Sequence, residues 1–78
     1  MVTGRQIREA RHMLGWDIEI LSDKAQVSGP VVEGAEIAAE GGDINRFHIA
    51  RIQMALERAG VRFGQNGAVL MGIRTELP

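Results

Sequence analysis

One pattern of apolar and polar residues recurs four times along the chain. An apolar residue is followed by a residue that can cap a helix, and a second apolar residue stands four positions after the cap. The side-chain oxygen of such a cap accepts hydrogen bonds from the free amides of a first turn, and the two apolar residues pack together across it. The pattern therefore predicts four helix N termini. Its capping residues are Thr3, Asp17, Ser28 and Asn45.

Apolar residues at helical spacing follow each of these starts and indicate where the helices run. We expect helices over residues 4–14, 18–25, 29–40 and 46–59. Gly15, Gly41-Gly42 and Gly60 stand where helices end, and Pro30 is tolerated in a first turn. Thr3 and Gln6 have capping-box spacing. The positions predicted to be buried are Ile7, Ala10, Leu14, Leu21, Ala25, Ile49, Ile52, Leu56 and Ala59.

The pattern changes after Gly60. In "VRFGQNGAVLMGIR", Asn66-Gly67 lies between two segments of β-forming residues, which predicts a hairpin. An isolated hairpin is marginal in water, and its exposed edge invites pairing with another strand. We therefore expect the tail, residues 61–78, to pack on the helices or to support a homodimer. The candidate dimer residues are Val61, Phe63, Val69, Met71 and Ile73.

Charge is distributed unevenly over a chain of 78 residues whose net charge is only −1. Residues 15–43 contain seven carboxylates and a single cation, Lys24, whereas arginines predominate on both sides. A protein that binds nucleic acid concentrates positive charge where it meets phosphates. The middle of this chain is instead acidic, and this segment includes the second and third predicted helices.

The residues that metal sites and enzymes require are missing or isolated. The sequence has no cysteine, which excludes disulfides and thiolate metal sites, and neither His12 nor His48 has metal-ligand spacing to a partner. Neither a phosphate-binding loop nor a nucleophile triad can be assigned. We expect neither an enzyme nor a cofactor, metal or small-molecule substrate. Because residues 1–11 do not resemble a signal peptide and no apolar run approaches about 20 residues, we expect a soluble cytoplasmic protein without a membrane span.

The second and third helices would be joined by a short connection at Gln26-Val27-Ser28, which predicts a helix-turn-helix. With "QIREARHMLGW" (6–16), "LSDKAQVS" (21–28) and the Val32…Glu36 spacing, the chain resembles the Xre/Cro-like helix-turn-helix transcriptional regulators. It is most similar to a short bacterial subgroup with "ALERAGVRF" (55–63) and a glycine-rich β tail. The resemblance implies a mainly α fold: a Cro/repressor-like domain of four to five helices over residues 1–60, with a C-terminal β-hairpin. It also implies a structural ion pair between Arg11 and Glu36.

The same resemblance implies that the third helix faces DNA or a partner. In the family, base edges are touched from its first positions, which correspond here to Gly29, Pro30, Glu33 and Gly34. Reading bases requires forked donors and acceptors, which glycine and proline side chains do not provide. The DNA- or partner-facing set is Ser28, Gly29, Pro30, Val31, Glu33, Gly34 and Ile37. The candidate phosphate contacts are Lys24, Arg46, Arg5 and Arg8.

Two functional hypotheses follow. The first is a small transcriptional regulator that binds DNA as a dimer, with the third helix toward the major groove. The alternative is a helix-turn-helix-derived protein-interaction module that has largely lost DNA reading. Such a module would antagonise another regulator, as an antiactivator or antirepressor, through its acidic surface. Arg51 and Arg58, two turns apart on the fourth helix, are interpreted as a solvated face.

Overall fold

The structure is a computed structural model that describes residues 2–37, 46–65 and 67–70, with the backbone alone at residues 69 and 70. The described chain is mainly helical, as the apolar pattern predicts. Its elements in chain order are α1 (Gly4–Met13), α2 (Ile18–Ala25), α3 (Gly29–Ile37), α4 (Arg46–Arg58), β1 (Val61–Phe63) and β2 (Ala68–Leu70).

The predicted caps start the first three helices. The Thr3 hydroxyl accepts from the Gln6 amide at 3.2 Å, and the Gln6 side chain accepts from the Thr3 amide at 2.9 Å, which completes the capping box. Asp17 accepts from the Ile20 amide at 2.8 Å. Ser28 makes the weakest of these contacts, 3.4 Å from the Val31 amide. The fourth cap, Asn45, lies outside the described residues.

The described helices end close to where the sequence predicts. Helix α1 stops at Met13 and is followed by Gly15 at φ +69°, and Gly60 at φ +107° follows α4. A side chain at such a backbone conformation is strained, which explains glycine at both positions. Helix α3 is described only as far as Ile37, so its predicted continuation to residue 40 and the stop at Gly41-Gly42 lie outside the described residues.

The core is made by apolar residues from every helix and from β1. The largest side chains within it that are fully buried are Ile7, Leu21, Val32, Ile52 and Leu56. Burial of each such side chain stabilises the fold by roughly 1.5–3 kcal/mol. Leu14 and Ala59, predicted to be buried, are only half-buried. Trp16 is also half-buried and packs against this core.

A tight turn joins α2 to α3. Gln26 ends α2 in the left-handed conformation (φ 61°, ψ 42°), and its amide donates to the carbonyl oxygens of Ser22 and Asp23. The Val27 amide also donates to Ser22, at 3.0 Å. A left-handed residue other than glycine costs about 1–2 kcal/mol. Helices α2 and α3 pack against each other, which offsets this cost.

The two strands pair antiparallel, with Val61 opposite Leu70 and Phe63 opposite Ala68. Strand β1 packs against α4, and β2 against α1. The Gln6 side-chain amide holds the connection between the strands: it donates to the carbonyl oxygens of Gly64 at 2.7 Å and Gly67 at 3.0 Å. The longer β tail predicted for residues 61–78 is not confirmed, since residues 71–78 lie outside the described part.

The candidate dimer residues need one correction. Val61 is only 3% exposed and belongs to the core, so it is not available to a second copy, and the prediction was wrong for this residue. Phe63 is half-buried and packs against the same core. The side chain of Val69, and Met71 and Ile73 altogether, lie outside the described residues. Dimerisation itself stays a prediction.

Candidate functional site

Helix α3 lies on the surface of the domain with one face buried. Val32 and Ala35 point into the core, at 0% and 1% exposure. The opposite side presents Pro30, Glu33 and Ile37, spaced three and four residues apart and all exposed. Ile37 is 81% exposed, an unusual value for a large apolar side chain. The outer face of α3 is therefore apolar and acidic.

An ion pair anchors the C-terminal part of α3 to α1. The Arg11 guanidinium donates to both Glu36 carboxylate oxygens, at 2.6 and 3.0 Å, and to the Trp16 carbonyl oxygen at 3.0 Å. The two side chains are only 12% and 6% exposed. The hydrogen bonds to Glu36 raise the pKa of Arg11, so the guanidinium stays charged. Glu36 therefore serves the fold, and Glu33 is the carboxylate that α3 offers to solvent.

A close backbone contact fixes the same junction. A Cβ atom at Gly4 would collide with the carbonyl oxygens of Ala35 and Glu36. The first turn of α1 and the last described turn of α3 thus meet at a distance that only glycine permits. At the other end of α3, a Cβ at Gly29 would be 3.8 Å from Ile18, so the first turns of α2 and α3 are neighbours. The described part of α3 is therefore in contact with α1 at its last turn and with α2 at its first.

The exposed part of α2 adds negative charge beside α3. Asp17, Glu19 and Asp23 are exposed, and Lys24 is the one cation of the helix. A shallow groove of about 570 Å³ runs along α2, lined by Glu19, Ile20, Asp23 and neighbours as far as Val27. Ile20 is 39% exposed in it. We call the exposed side chains of α2 and α3 other than Lys24 the acidic surface; they are Glu19, Ile20, Asp23, Pro30, Glu33 and Ile37.

The predicted phosphate contacts are not on α3. Arg5 is 3.8 Å from Glu9 with its side chain 87% exposed, and Arg8 is also exposed on α1. Arg46 is exposed at the start of α4. Lys24 lines grooves between α2 and α4. These four cations are distributed over three helices. The residues predicted to face DNA or a partner, Ser28 to Ile37, lie on α3 or at its N-cap and include no cation.

The groove between α2 and α4 was missed by the sequence analysis. Phe47, Met54, Arg51 and Arg58 line it together with Lys24. The sequence interpretation treated the two arginines as a solvated face. The sequence did contain a pattern that indicates this groove. Phe47, Ala50 and Met54 repeat at helical spacing and form a second apolar stripe on α4. This stripe lies on the side of the helix opposite the buried stripe of Ile49, Ile52 and Leu56.

Metal ligation and membrane spans were also considered for the described part of the chain. Over the described residues, no three histidine, cysteine or carboxylate side chains are placed to hold a metal ion. None of the helices there is both long and apolar enough to traverse a bilayer. Comparison of the sequence and structure with protein-family models, characterised proteins and solved structures finds no match.

Proposed function

We propose that this chain is a small regulatory protein that binds another protein through its acidic surface and antagonises a DNA-binding regulator. One observation carries the proposal. The exposed face of α3 offers Pro30, Glu33, Gly34 and Ile37, and contains no side chain that donates a hydrogen bond. By its sequence resemblance to the Xre/Cro-like regulators, α3 is the helix expected to face DNA, and it has no donor with which to read bases.

Electrostatics argue against this surface approaching DNA. Duplex DNA carries one negative charge for about every 1.7 Å of its length. A carboxylate about 4 Å from a phosphate is repelled by about 1 kcal/mol in bulk water and by about 4 kcal/mol at the effective dielectric near a protein surface. Asp17, Glu19, Asp23 and Glu33 are all exposed on α2 and α3, against Lys24 alone. Specific base contacts, each worth about 1–3 kcal/mol, cannot come from α3, because none of its side chains is a donor.

The same surface suits a basic protein partner. Ile20 and Ile37 provide exposed apolar anchors, at 39% and 81% exposure, on the same two helices as the exposed carboxylates Glu19, Asp23 and Glu33. Complementary charge accelerates encounter and selects the partner, while buried apolar anchors supply much of the affinity. A DNA-binding regulator exposes cations where it contacts phosphates. Occupation of that face by the acidic surface would keep the regulator off its DNA.

A second candidate function, DNA binding as a dimer, is favoured by the backbone. Support for it comes from the three-residue connection, Gln26 to Ser28, between α2 and α3, which pack together with one face of α3 exposed. DNA-binding helix-turn-helix domains have a similarly short connection. Contacts to phosphates would then come from Lys24, Arg46, Arg5 and Arg8, and a second copy would double them. This candidate predicts an affinity that falls steeply as salt rises.

A DNA titration separates the two candidates. Fluorescence anisotropy with duplexes from the protein's own promoter region, at several salt concentrations, compares the wild type with Glu33→Lys. The matched control is Glu57→Lys, the same charge change on α4, where Glu57 is exposed and accepts from Gln53 at 3.0 Å. We expect negligible binding of the wild type at about 0.15 M salt and a gain in Glu33→Lys alone. A preferred site bound tightly by the wild type would instead establish the DNA-binding candidate.

A competition experiment tests the partner. The protein is used to capture its partner from extracts of the cells that produce it, and duplex DNA is then added. If the partner binds through its DNA-contacting face, DNA releases it, Glu33→Lys fails to capture it, and Glu57→Lys captures it normally. Retention of the partner in the presence of excess DNA, or equal capture by both variants, would contradict the proposal.

A further inference from the structure

We propose that the groove between α2 and α4 is a second docking surface, whose occupant is an acidic amphipathic helix of another protein. We call it the basic groove and define it by Lys24, Phe47, Ala50, Arg51, Met54 and Arg58. It lies on a different pair of helices from the acidic surface, and the inference does not depend on the proposed function.

The basic groove collects positive charge in a chain whose net charge is −1. Lys24, Arg51 and Arg58 line one depression of about 360 Å³, and no carboxylate is among its lining residues. Within the described residues, none of these three cations has a carboxylate oxygen within ion-pair distance. A neighbouring depression of about 380 Å³ shares Lys24 and Arg58 and extends the groove to Trp16.

The floor of the groove is apolar and accessible. Met54 is 49% exposed, Phe47 is 66% exposed, and Ala50 between them is exposed as well. Arg51 lies over the Phe47 ring, 5.4 Å from its centre, which adds a cation–π contact within the groove. Methionine adapts its flexible side chain to different partners and is enriched at binding surfaces. Solvation alone gives no reason for these large apolar side chains to lie beside the cations.

The spacing along α4 indicates a helix as the occupant. Phe47 and Met54 are seven residues apart, as are Arg51 and Arg58, and Ala50 lies between the apolar pair. This is the spacing of one heptad, as in a coiled-coil seam, in which charged residues flank the apolar positions and pair with the opposite charge. Two helical turns separate the guanidiniums along the axis, a rise of about 10.5 Å. A partner helix with carboxylates at heptad spacing would meet both.

A second copy docked through the same face fits less well. In an antiparallel pair of α4 helices, equivalent flanking positions face each other, which would bring arginines against arginines. Like charges in contact at an interface cost affinity. The observed charges therefore favour a different, acidic chain over a symmetric α4 pair.

The test uses two synthetic helical peptides that share leucines at the apolar heptad positions. One carries glutamates at the flanking positions and the other carries lysines there. Fluorescence anisotropy at about 0.15 M salt should show saturable binding of the glutamate peptide and at least about tenfold weaker binding of the lysine peptide. Arg51→Glu and Arg58→Glu should each weaken binding of the glutamate peptide about tenfold, and the double variant should prefer the lysine peptide. Arg8→Glu, an exposed reversal on α1, is the matched control and should change neither affinity.

Four outcomes would overturn the inference. They are equal affinity for the two peptides, no saturable binding below about 1 mM, an equal effect of Arg8→Glu, and tighter binding of a single-stranded oligonucleotide that competes with the peptide. Sedimentation of the protein alone covers the remaining occupant: self-association that the glutamate peptide reverses would assign the groove to a second copy and would also overturn the inference. Glu33→Lys should leave peptide binding unchanged, because Glu33 is not part of the basic groove. A failure of the proposed function of the acidic surface would therefore not affect the peptide result. Circular dichroism verifies that each variant is folded.

Discussion

The ion pair between Arg11 and Glu36 is the interaction whose loss we expect to change the protein most. It joins α1 to α3 by two charge-assisted hydrogen bonds of 2.6 and 3.0 Å, and its side chains are 12% and 6% exposed. Water therefore replaces a removed partner only in part. The perturbation is a double-mutant cycle: Arg11→Met, Glu36→Leu and the two together.

The magnitude follows from what each variant leaves behind. Arg11→Met leaves the Glu36 carboxylate buried without a counter-charge, and removal of one partner of a buried pair costs about 3–5 kcal/mol. It also deprives the Trp16 carbonyl oxygen of a donor, which costs about 1 kcal/mol more. Glu36→Leu leaves the Arg11 charge buried. The double variant removes both charges, so we expect it to be more stable than Arg11→Met, with a coupling free energy of at least about 2 kcal/mol.

The assay is urea unfolding, followed by helical circular dichroism and by the fluorescence of Trp16, the single tryptophan. A domain of this size has a free energy of unfolding of about 4–12 kcal/mol, so a single variant can lose half of it. Agreement between the two probes supports a two-state analysis. The internal control is the exposed pair Arg5–Glu9, separated by 3.8 Å with side chains 87% and 45% exposed. Its coupling should stay below about 0.5 kcal/mol.

The reasoning would be refuted by a cost below about 1 kcal/mol for Arg11→Met. It would equally be refuted by a coupling no larger than that of the control pair. Either result would mean that the buried geometry does not hold α3 on α1, and that the presentation of Glu33 depends on other contacts.

The remaining predictions concern the close contacts around α1 and the exposed face of α3. Gly4→Ala should destabilise the fold by about 3 kcal/mol or more in urea unfolding, because the added methyl group would meet backbone oxygens. Gly34→Ala has open space around its Cβ and should stabilise the fold by up to about 1 kcal/mol. Equal effects of the two substitutions would contradict this prediction. Gln6→Leu removes three hydrogen bonds, so it should lower the free energy of unfolding by about 2–3 kcal/mol and accelerate hydrogen exchange at the Gly64 amide. Unchanged exchange would show that the hairpin is stable without the Gln6 side chain. Ile37→Ser should change the free energy of unfolding by less than about 0.5 kcal/mol, because the side chain is exposed, and should weaken partner capture at least fivefold. A large loss of stability would show that Ile37 packs against the rest of the fold.

Local chemistry explains why the helix starts were predictable. Thr3 and Asp17 accept hydrogen bonds from amides three residues further along the chain, and such contacts are visible in the sequence as spacing. The bounds of α1 and α2, and the end of α4, lie within one residue of the predicted ones. The Arg11–Glu36 contact, separated by 25 residues, came from resemblance to a family and not from local pattern.

Gln6 illustrates what local pattern does not contain. Its spacing from Thr3 predicts the capping box, which forms, but its amide also donates to carbonyl oxygens 58 and 61 residues away. The turn at Gln26 is a second example, because a left-handed glutamine has no compositional signal such as glycine or asparagine. Arg51 and Arg58 are a third: their grouping with Lys24 requires that α2 and α4 pack side by side.

The sequence by itself determined the mainly helical character of the described chain, the caps at Thr3 and Asp17, and the absence of donor side chains on α3. These properties depend on residues within a few positions of one another. Only the tertiary structure decided that Val61 belongs to the core, that Ile37 stays exposed, and that the cations of α2 and α4 share one groove. Burial and long-range contacts depend on how the helices pack, and packing brings together residues whose separation along the chain carries no periodic signal.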